Sequence, residues 1–316
     1  MARREDEHTQ LAIPNGWYAV EWSRQLIDGE VKSIHYFGED LVLFRTRSGE
    51  PRVLDAYCPH LGAHLGEGGR VVGENIQCPY HAWEYAGATG VCAKIPYCEQ
   101  IPKKARVRAW EVRERNGFIF VWYHANKQPS SWEVPVLEEV GHPDWTTPRE
   151  EEIEVPIHVQ DIHENNNDPV HFQVVHGMNE VMDTEPIEYS ADGRIYKLTG
   201  HTERETPMGT FKTTLVRESF GIGMSTVRTV GIPDAGLLLF SSTTPIEPNV
   251  TISRWMLTVT KNLVDLIGED FQRQLVKGVD DDLRIWSSKI HRKSPVLCKE
   301  DGFLGEYRQW VKQFYV

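Results

Sequence analysis

Basic charge is in short supply. Against 46 Asp and Glu stand only 34 Lys and Arg, a formal charge of -12. A phosphate-binding surface needs the opposite bias, so nucleic acid is excluded as the expected partner. Long apolar runs are absent as well. The best, Gly236-Leu237-Leu238-Leu239-Phe240, is strand-sized and far short of the roughly 20 residues of a membrane helix. The polar start Met1-Ala2-Arg3-Arg4-Glu5-Asp6-Glu7 has no apolar core behind it and does not read as a signal peptide. A reducing, cytoplasmic setting is therefore expected. Cysteine is scarce and odd in number, with five, which argues against a disulfide framework. No Gly-x-Gly-x-x-Gly follows a strand, so a nicotinamide or flavin fold is not expected. There is no repeat and no low-complexity tract.

What is present is an ordinary globular composition in 316 residues, enough for one large domain or two. From Pro14 to Tyr123, short β-prone runs alternate with Gly-rich turns: Leu41–Phe44, Arg52–Leu54, Arg70–Val72 and Phe118–Trp122. This predicts a compact all-β module. Residues 125–150 lack a period and read as a linker or surface wrap. Beyond them come strand candidates at Thr214–Arg217, Leu237–Phe240 and Trp255–Val259. Two helices are expected, a short one near 169–176 and a long one near 269–291. The chain is thus read as α+β, an all-β domain over 1–128, a linker over 129–150 and an α+β domain over 151–316.

The 13 histidines matter where they meet cysteines. Cys58-Pro59-His60 precedes Cys78-Pro79-Tyr80-His81 by seventeen residues that include Gly62, Gly66, Gly68, Gly69 and Gly73. Glycine loops let backbone approach a bulky inorganic group. Two thiolates and two imidazoles suit two metals, as in a diiron centre with two Cys on one iron and two His on the other. A single structural zinc is the rival, although zinc pairs are usually Cys-Cys and His-His rather than mixed. Trp83 and Tyr85 are placed to cover such a centre. His64 reads as a loop-tip residue. Cys92, Cys98 and Cys298 read as free, buried thiols.

A second cluster centres on Asn165-Asn166-Asn167-Asp168-Pro169-Val170-His171, with His176 and Gly177 following. Asp168 before Pro169 is an N-cap with Pro at the first helical position, and Gly177 is a plausible stop. His171 and His176 would lie roughly 140° apart on an ideal helix. They can share a metal only if the helix unwinds near its end. Two His with one carboxylate and open positions define non-haem Fe(II) oxygenase sites. The long helix offers Asp280, Asp281 and Asp282 beside an apolar stripe of Phe271, Leu275, Val279, Leu283, Trp286 and Ile290. Asp282 borders that stripe, Asp281 points outward and Asp280 sits near the opposite margin.

These motifs together resemble the Rieske non-haem iron oxygenases, over almost the whole chain. Cys58, His60, Cys78 and His81 match the family's cluster motif. Asn165, Asp168, His171 and His176 match its Asn-x-x-Asp-x-x-His-x-x-x-x-His motif. Ala82 stands where Gly is frequent. The tail is similar to that of 3-ketosteroid 9α-hydroxylase oxygenase components and cholesterol 7-desaturases, through Asp282, Ile285-Trp286, Leu297-Cys298, Asp301-Gly302, Arg308, Trp310 and Gln313-Phe314-Tyr315. Phe303 departs from the Pro common there.

The resemblance implies a Rieske [2Fe–2S] domain followed by a helix-grip catalytic domain with an antiparallel sheet and a long C-terminal helix. It implies a cluster on Cys58, His60, Cys78 and His81 and a mononuclear Fe(II) on His171, His176 and Asp282. Asp168 would bridge His81 of one subunit to His171 of the next, in a homotrimer, and Asn165 would orient the iron site. Electrons would come from a separate NAD(P)H-dependent flavin/iron–sulfur reductase, directly or through a ferredoxin. With O2, the implied reaction is hydroxylation of an unactivated C–H bond in a steroid- or sterol-like substrate. The alternatives are C7-type desaturation and oxidation of an aromatic or other apolar molecule.

Overall fold

The computed structural model describes residues 11–176, 182–206, 209–267 and 281–316. Within it the chain forms two compact units. One is Trp17–Val134, and the other joins the N-terminal segment up to Gly16 to Pro135–Val316.

The first unit is all-β. It holds β1 (Gly16–Trp22), β2 (Val31–Tyr36), β3 (Glu39–Arg45), β4 (Pro51–Asp55), β5 (Arg70–Val72), β6 (Asn75–Gln77), β7 (Glu84–Ala86), β8 (Cys92–Lys94), β9 (Val112–Arg115) and β10 (Phe118–Tyr123). These pair into three small antiparallel sheets, β1-β10-β9, β2-β3-β4 and β5-β6-β7-β8. Leu41–Phe44 and Phe118–Val121 are wholly buried on both faces. They therefore read as continuous apolar runs rather than alternating ones. A core of Val42, Phe44, Leu54, Leu65, Val71, Ile76, Trp83 and Tyr85 also contains Cys58 and Cys78. The buried Arg45 guanidinium is satisfied by both Glu114 carboxylate oxygens and by the Leu26, Gly49 and Ser23 carbonyls.

The second unit is α+β. Its elements are β11 (Arg149–Val155), α1 (Val159–Asn166), α2 (Pro169–Val174), β12 (Asp183–Thr184), β13 (Glu188–Tyr189), β14 (Ile195–Thr206), β15 (Gly209–Phe220), β16 (Met224–Ile232), β17 (Ala235–Glu247), β18 (Val250–Val259), α3 (Lys261–Ile267), a helical stretch α4 over residues 281–286, and α5 (Gly302–Trp310). The antiparallel sheet runs β11-β18-β17-β16-β15-β14-β12, with β13 also on β14. Register places Tyr196, Ser219, Ser225, Ser241, Trp255 and Glu151 in one row across it. They share one face because side chains alternate along a strand. That is the helix-bearing face. Asn166 of α1 donates to Ser225 Oγ at 3.2 Å, Tyr307 of α5 meets Tyr196 edge-on, and Trp286 of α4 packs in one cluster with Trp255, Ile162, Val155 and Ile157. Asn15 N–H donates to the Phe314 carbonyl, fastening the N-terminal segment to this unit.

Two expectations require correction. Cys98 and Cys298 are exposed; only Cys92 of the three remaining thiols is buried, and all are free. Helix α1 was not foreseen, nor were α3 and α5. Of the long helix expected near 269–291, Phe271, Leu275, Val279 and Asp280 lie outside the described residues, as does Gly177.

Candidate metal centres

The two Cys-bearing loops repeat one backbone pattern. Cys58 N–H donates to the Ala63 carbonyl and Gly62 N–H to the Cys58 carbonyl. Cys78 N–H donates to the Trp83 carbonyl and Ala82 N–H to the Cys78 carbonyl. Each turn brings its fifth residue into the left-handed region, Gly62 at φ 77° and Ala82 at φ 56°. That region is costly for a residue with a Cβ. It gives a physical reason for Gly at the second position, where this chain carries Ala.

These turns bring the four residues together. Both cysteines are buried, while His60 and His81 are half-buried, with ring centroids 4.6 Å apart. Trp83 stacks on His60 at 4.5 Å and 9°, and Tyr85 Oη lies 3.0 Å from Cys58 Sγ. Burial pushes the Cys78 thiol up, and the neighbouring Cys58 adds to this against the Tyr80 and His81 amides. Buried His60 Nδ1 has no protein partner among the described residues. Two buried thiols facing two imidazoles, one of which has a buried nitrogen with no protein partner among the described residues, fit an iron–sulfur cluster. His64 is a half-buried loop residue whose Nδ1 accepts from Gly66 N–H.

In the second unit, Asp168 caps α2. Its Oδ1 accepts from Val170 N–H at 3.0 Å and His171 N–H at 3.2 Å, with Pro169 following at the first turn. The helix ends at Val174, so Val175 and His176 lie in a turn. This departure from helical geometry lets His176 come round to His171. Their Nε2 atoms are 3.1 Å apart, and each lies 3.4 Å from one Asp282 carboxylate oxygen. All three ligand atoms fall within 4.8 Å of one another. Asp281 is exposed and Asp282 buried. Burial pushes the Asp282 carboxyl up, but the two imidazoles outweigh this and hold it below the ordinary value. His171 Nδ1 lies 3.1 Å from the Asp168 carbonyl, so Nδ1–H donates there and Nε2 keeps its lone pair for the site. Asn165 donates its amide to Asp282 Oδ1 at 3.3 Å. Two imidazole nitrogens and one carboxylate oxygen converging in this way fit a divalent iron.

Both halves match families. Residues 16–109 match the Rieske [2Fe-2S] domain, and residues 121–315 match the 3-Ketosteroid 9alpha-hydroxylase C-terminal domain. The chain belongs to the Rieske oxygenase family. It is an oxidoreductase whose cofactors are a Rieske [2Fe–2S] cluster and a mononuclear non-haem iron. It is 30% identical to cholesterol 7-desaturase nvd of Drosophila melanogaster, over 96% of this chain and 75% of that one. To cholesterol 7-desaturase of Caenorhabditis elegans it is 32% identical over 96% and 77%. To the oxygenase component of 3-ketosteroid-9-alpha-monooxygenase of Rhodococcus rhodochrous it is 28% identical over 95% and 82%. Among solved structures, NdmB of Pseudomonas putida CBB5 superimposes with a TM-score of 0.77 at 19% identity, covering 94% of this chain and 89% of that one. Dicamba monooxygenase bound to dicamba gives 0.74 at 18%, covering 95% and 97%. Identities that low speak to the fold alone. Among the described residues, no helix is long and apolar enough to cross a membrane.

Sequence reasoning missed the polar residues of α1, the helix that carries Asn165: Asp161, His163 and Glu164, all buried. A run of polar residues gives no apolar period, so only the helical spacing of Asp161 and Asn165 could have signalled them.

Proposed function

We propose that the chain is the oxygenase component of a two-protein system that hydroxylates an unactivated C–H bond of a steroid- or sterol-like substrate. Cys58, His60, Cys78 and His81 hold the [2Fe–2S] cluster, and His171, His176 and Asp282 hold the Fe(II). The observation that carries this reading is the convergence of those last three residues in a chain of this family. A cluster domain over 1–128 and an iron domain over 151–316 flank the linker 129–150.

The bound iron supplies O2 activation, which takes two electrons and two protons and releases one oxygen atom as water. The chain supplies the rest. The Asp168 carbonyl fixes the His171 tautomer, and Asn165 holds Asp282 in one orientation. Phe172, with its ring 4.2 Å from that of His171, lies against the site. Electrons arrive at the cluster from a separate NAD(P)H-dependent reductase, directly or through a ferredoxin. Both capping bonds to Asp168 fall on Oδ1, which leaves Oδ2 for a donor. We assign that oxygen to His81 of a neighbouring subunit in a cyclic homotrimer, so that Asp168 joins the two centres.

A second reading, C7-type sterol desaturation, is favoured by relatives at 30% and 32% identity that are named cholesterol 7-desaturases. One experiment separates the two. The purified chain, with a surrogate reductase and O2, is given a sterol, 3-ketosteroid and aromatic panel. A product one oxygen heavier supports hydroxylation, and one lighter by two hydrogens supports desaturation. Turnover confined to aromatic compounds refutes the sterol class. Metal analysis should give about three irons and two acid-labile sulfides per chain. Zinc, or a cluster without the third iron, refutes the site assignment.

A further inference from the structure

Helix α1 does more than carry Asn165. One turn earlier stands Asp161, whose carboxylate is almost wholly buried. Lys289 Nζ lies 3.3 Å from its Oδ1, and His291 Nδ1 lies 3.0 Å from its Oδ2. A buried carboxylate survives only when paired, and removing one partner leaves a charge in a poor medium. Here both partners belong to the segment that begins with Asp282. Helix α4 ends at residue 286, and the turn that follows is closed onto it by bonds from Ser287 N–H to the Leu283 carbonyl and from Ser288 and Lys289 N–H to the Ile285 carbonyl. Asp282 and Lys289 therefore lie on one short hydrogen-bonded rod, about 10 Å apart at 1.5 Å per residue.

The contacts between the rod and α1 run in opposite order. Asn165 meets Asp282, Ile162 shares a cluster with Trp286, and Asp161 meets Lys289. The two helices are thus antiparallel and fastened at both ends, with an apolar contact between. A third fastening lies further on, where Arg308 binds the Glu164 carboxylate and donates to the Arg292 carbonyl.

We infer that Asp161 is a positioning residue for Asp282. By gripping Lys289 and His291, it fixes the height and rotation of the rod, and so presents the Asp282 carboxylate to His171 and His176. This rests on the assignment of Asp282 as an iron ligand. With Asp161 released, the rod keeps, among the described residues, the Asn165 bond, the Trp286 packing and the Arg308 fastening at Arg292, none of which grips it at Lys289. Asp282 can then shift along its own axis, and the iron is held less tightly. Groups that orient ligands from outside the coordination sphere change metal affinity by about 10–100-fold.

The test uses the reconstituted holoenzyme of wild type, Asp161→Asn and His291→Gln. Loss of the third iron to a ferrous chelator is timed while the cluster absorbance is followed in the same cuvette. The EPR signal of the nitric oxide adduct of the ferrous site is recorded, together with the thermal midpoint. The expected result is iron loss about tenfold faster in Asp161→Asn and a changed nitrosyl line shape, with cluster absorbance intact. Acceleration below about threefold with an unchanged line shape, whatever the thermal midpoint does, overturns the inference. If Asp161→Asn does not accumulate as folded protein, His291→Gln, which leaves Lys289 in place, is judged by the same threshold and line shape. A wild-type chain that keeps its cluster and never holds a third iron overturns the site assignment and this inference with it. A wild-type third iron with unaltered loss in the variants overturns only the role of Asp161.

Discussion

His163 lies wholly inside the second unit, and neither ring nitrogen has a hydrogen-bond partner among the described residues. Burial pushes its pKa down to about 3, so the folded protein keeps the ring neutral while the unfolded chain protonates it near 6.5. The stability contributed by the neutral ring is therefore complete above pH 6.5 and is lost as pH falls from 6.5 toward 3. Between pH 7 and pH 5 the loss is about 2 kcal/mol, at 1.36 kcal/mol per unit below 6.5. His163→Leu removes the titration and the two unsatisfied nitrogens together. Burying such groups costs about 1–3 kcal/mol, so the variant should at least match wild type at pH 7. Its advantage should then widen by about 2 kcal/mol at pH 5. For a unit of about 200 residues that is roughly 4–8 °C in thermal midpoint. The assay is a set of melts at pH 7, 6 and 5 on the two holoproteins. The difference between them cancels the pH dependence of the metal ligands, which they share. A gap that stays constant across the three pH values would refute the reasoning.

Other substitutions test other links. Tyr85→Phe removes the hydroxyl 3.0 Å from Cys58 Sγ. That donor favours the reduced, more negative cluster. A difference of about 1 kcal/mol between redox states corresponds to a fall in potential of roughly 40 mV, and a spectroelectrochemical titration showing no fall would contradict this. Asp168→Asn keeps a good N-cap, so α2 and both metal centres should persist while reductase-driven turnover drops about 100-fold. Turnover near wild type with both irons present would dismiss the bridge. Trp286→Ala empties a buried site among Val155, Ile157 and Ile162. It should cost about 3–5 kcal/mol in denaturant unfolding; a loss under about 1 kcal/mol would mean that the ring does not anchor α4.

The elements legible in advance were those whose signal is local. Asp168-Pro169 marks the start of α2 because a capping oxygen and a proline ring act on their own neighbours. Strands such as Leu237–Phe240 were visible because they are apolar throughout. Helix α1 was not, because its buried residues include Gln160, Asp161, His163 and Glu164. Three of these, Gln160, Asp161 and Glu164, are paired by Tyr315, Lys289, His291 and Arg308, which lie far away in the chain. Exposure of Cys98 and Cys298 was missed for a similar reason, since a thiol carries no sequence mark of the surface it faces.

Read alone, the sequence determined which atoms could bind metal. Ligand chemistry resides in residue type, and the paired Cys and His motifs and the Asn-x-x-Asp-x-x-His run are each formed within one short segment. Only the tertiary structure decided whether distant ligands meet. His171 and His176 come together because α2 ends at Val174. Asp282 joins them because α1 holds its helix from the side. That closure depends on packing and paired charges between segments more than a hundred residues apart, and no local pattern encodes it.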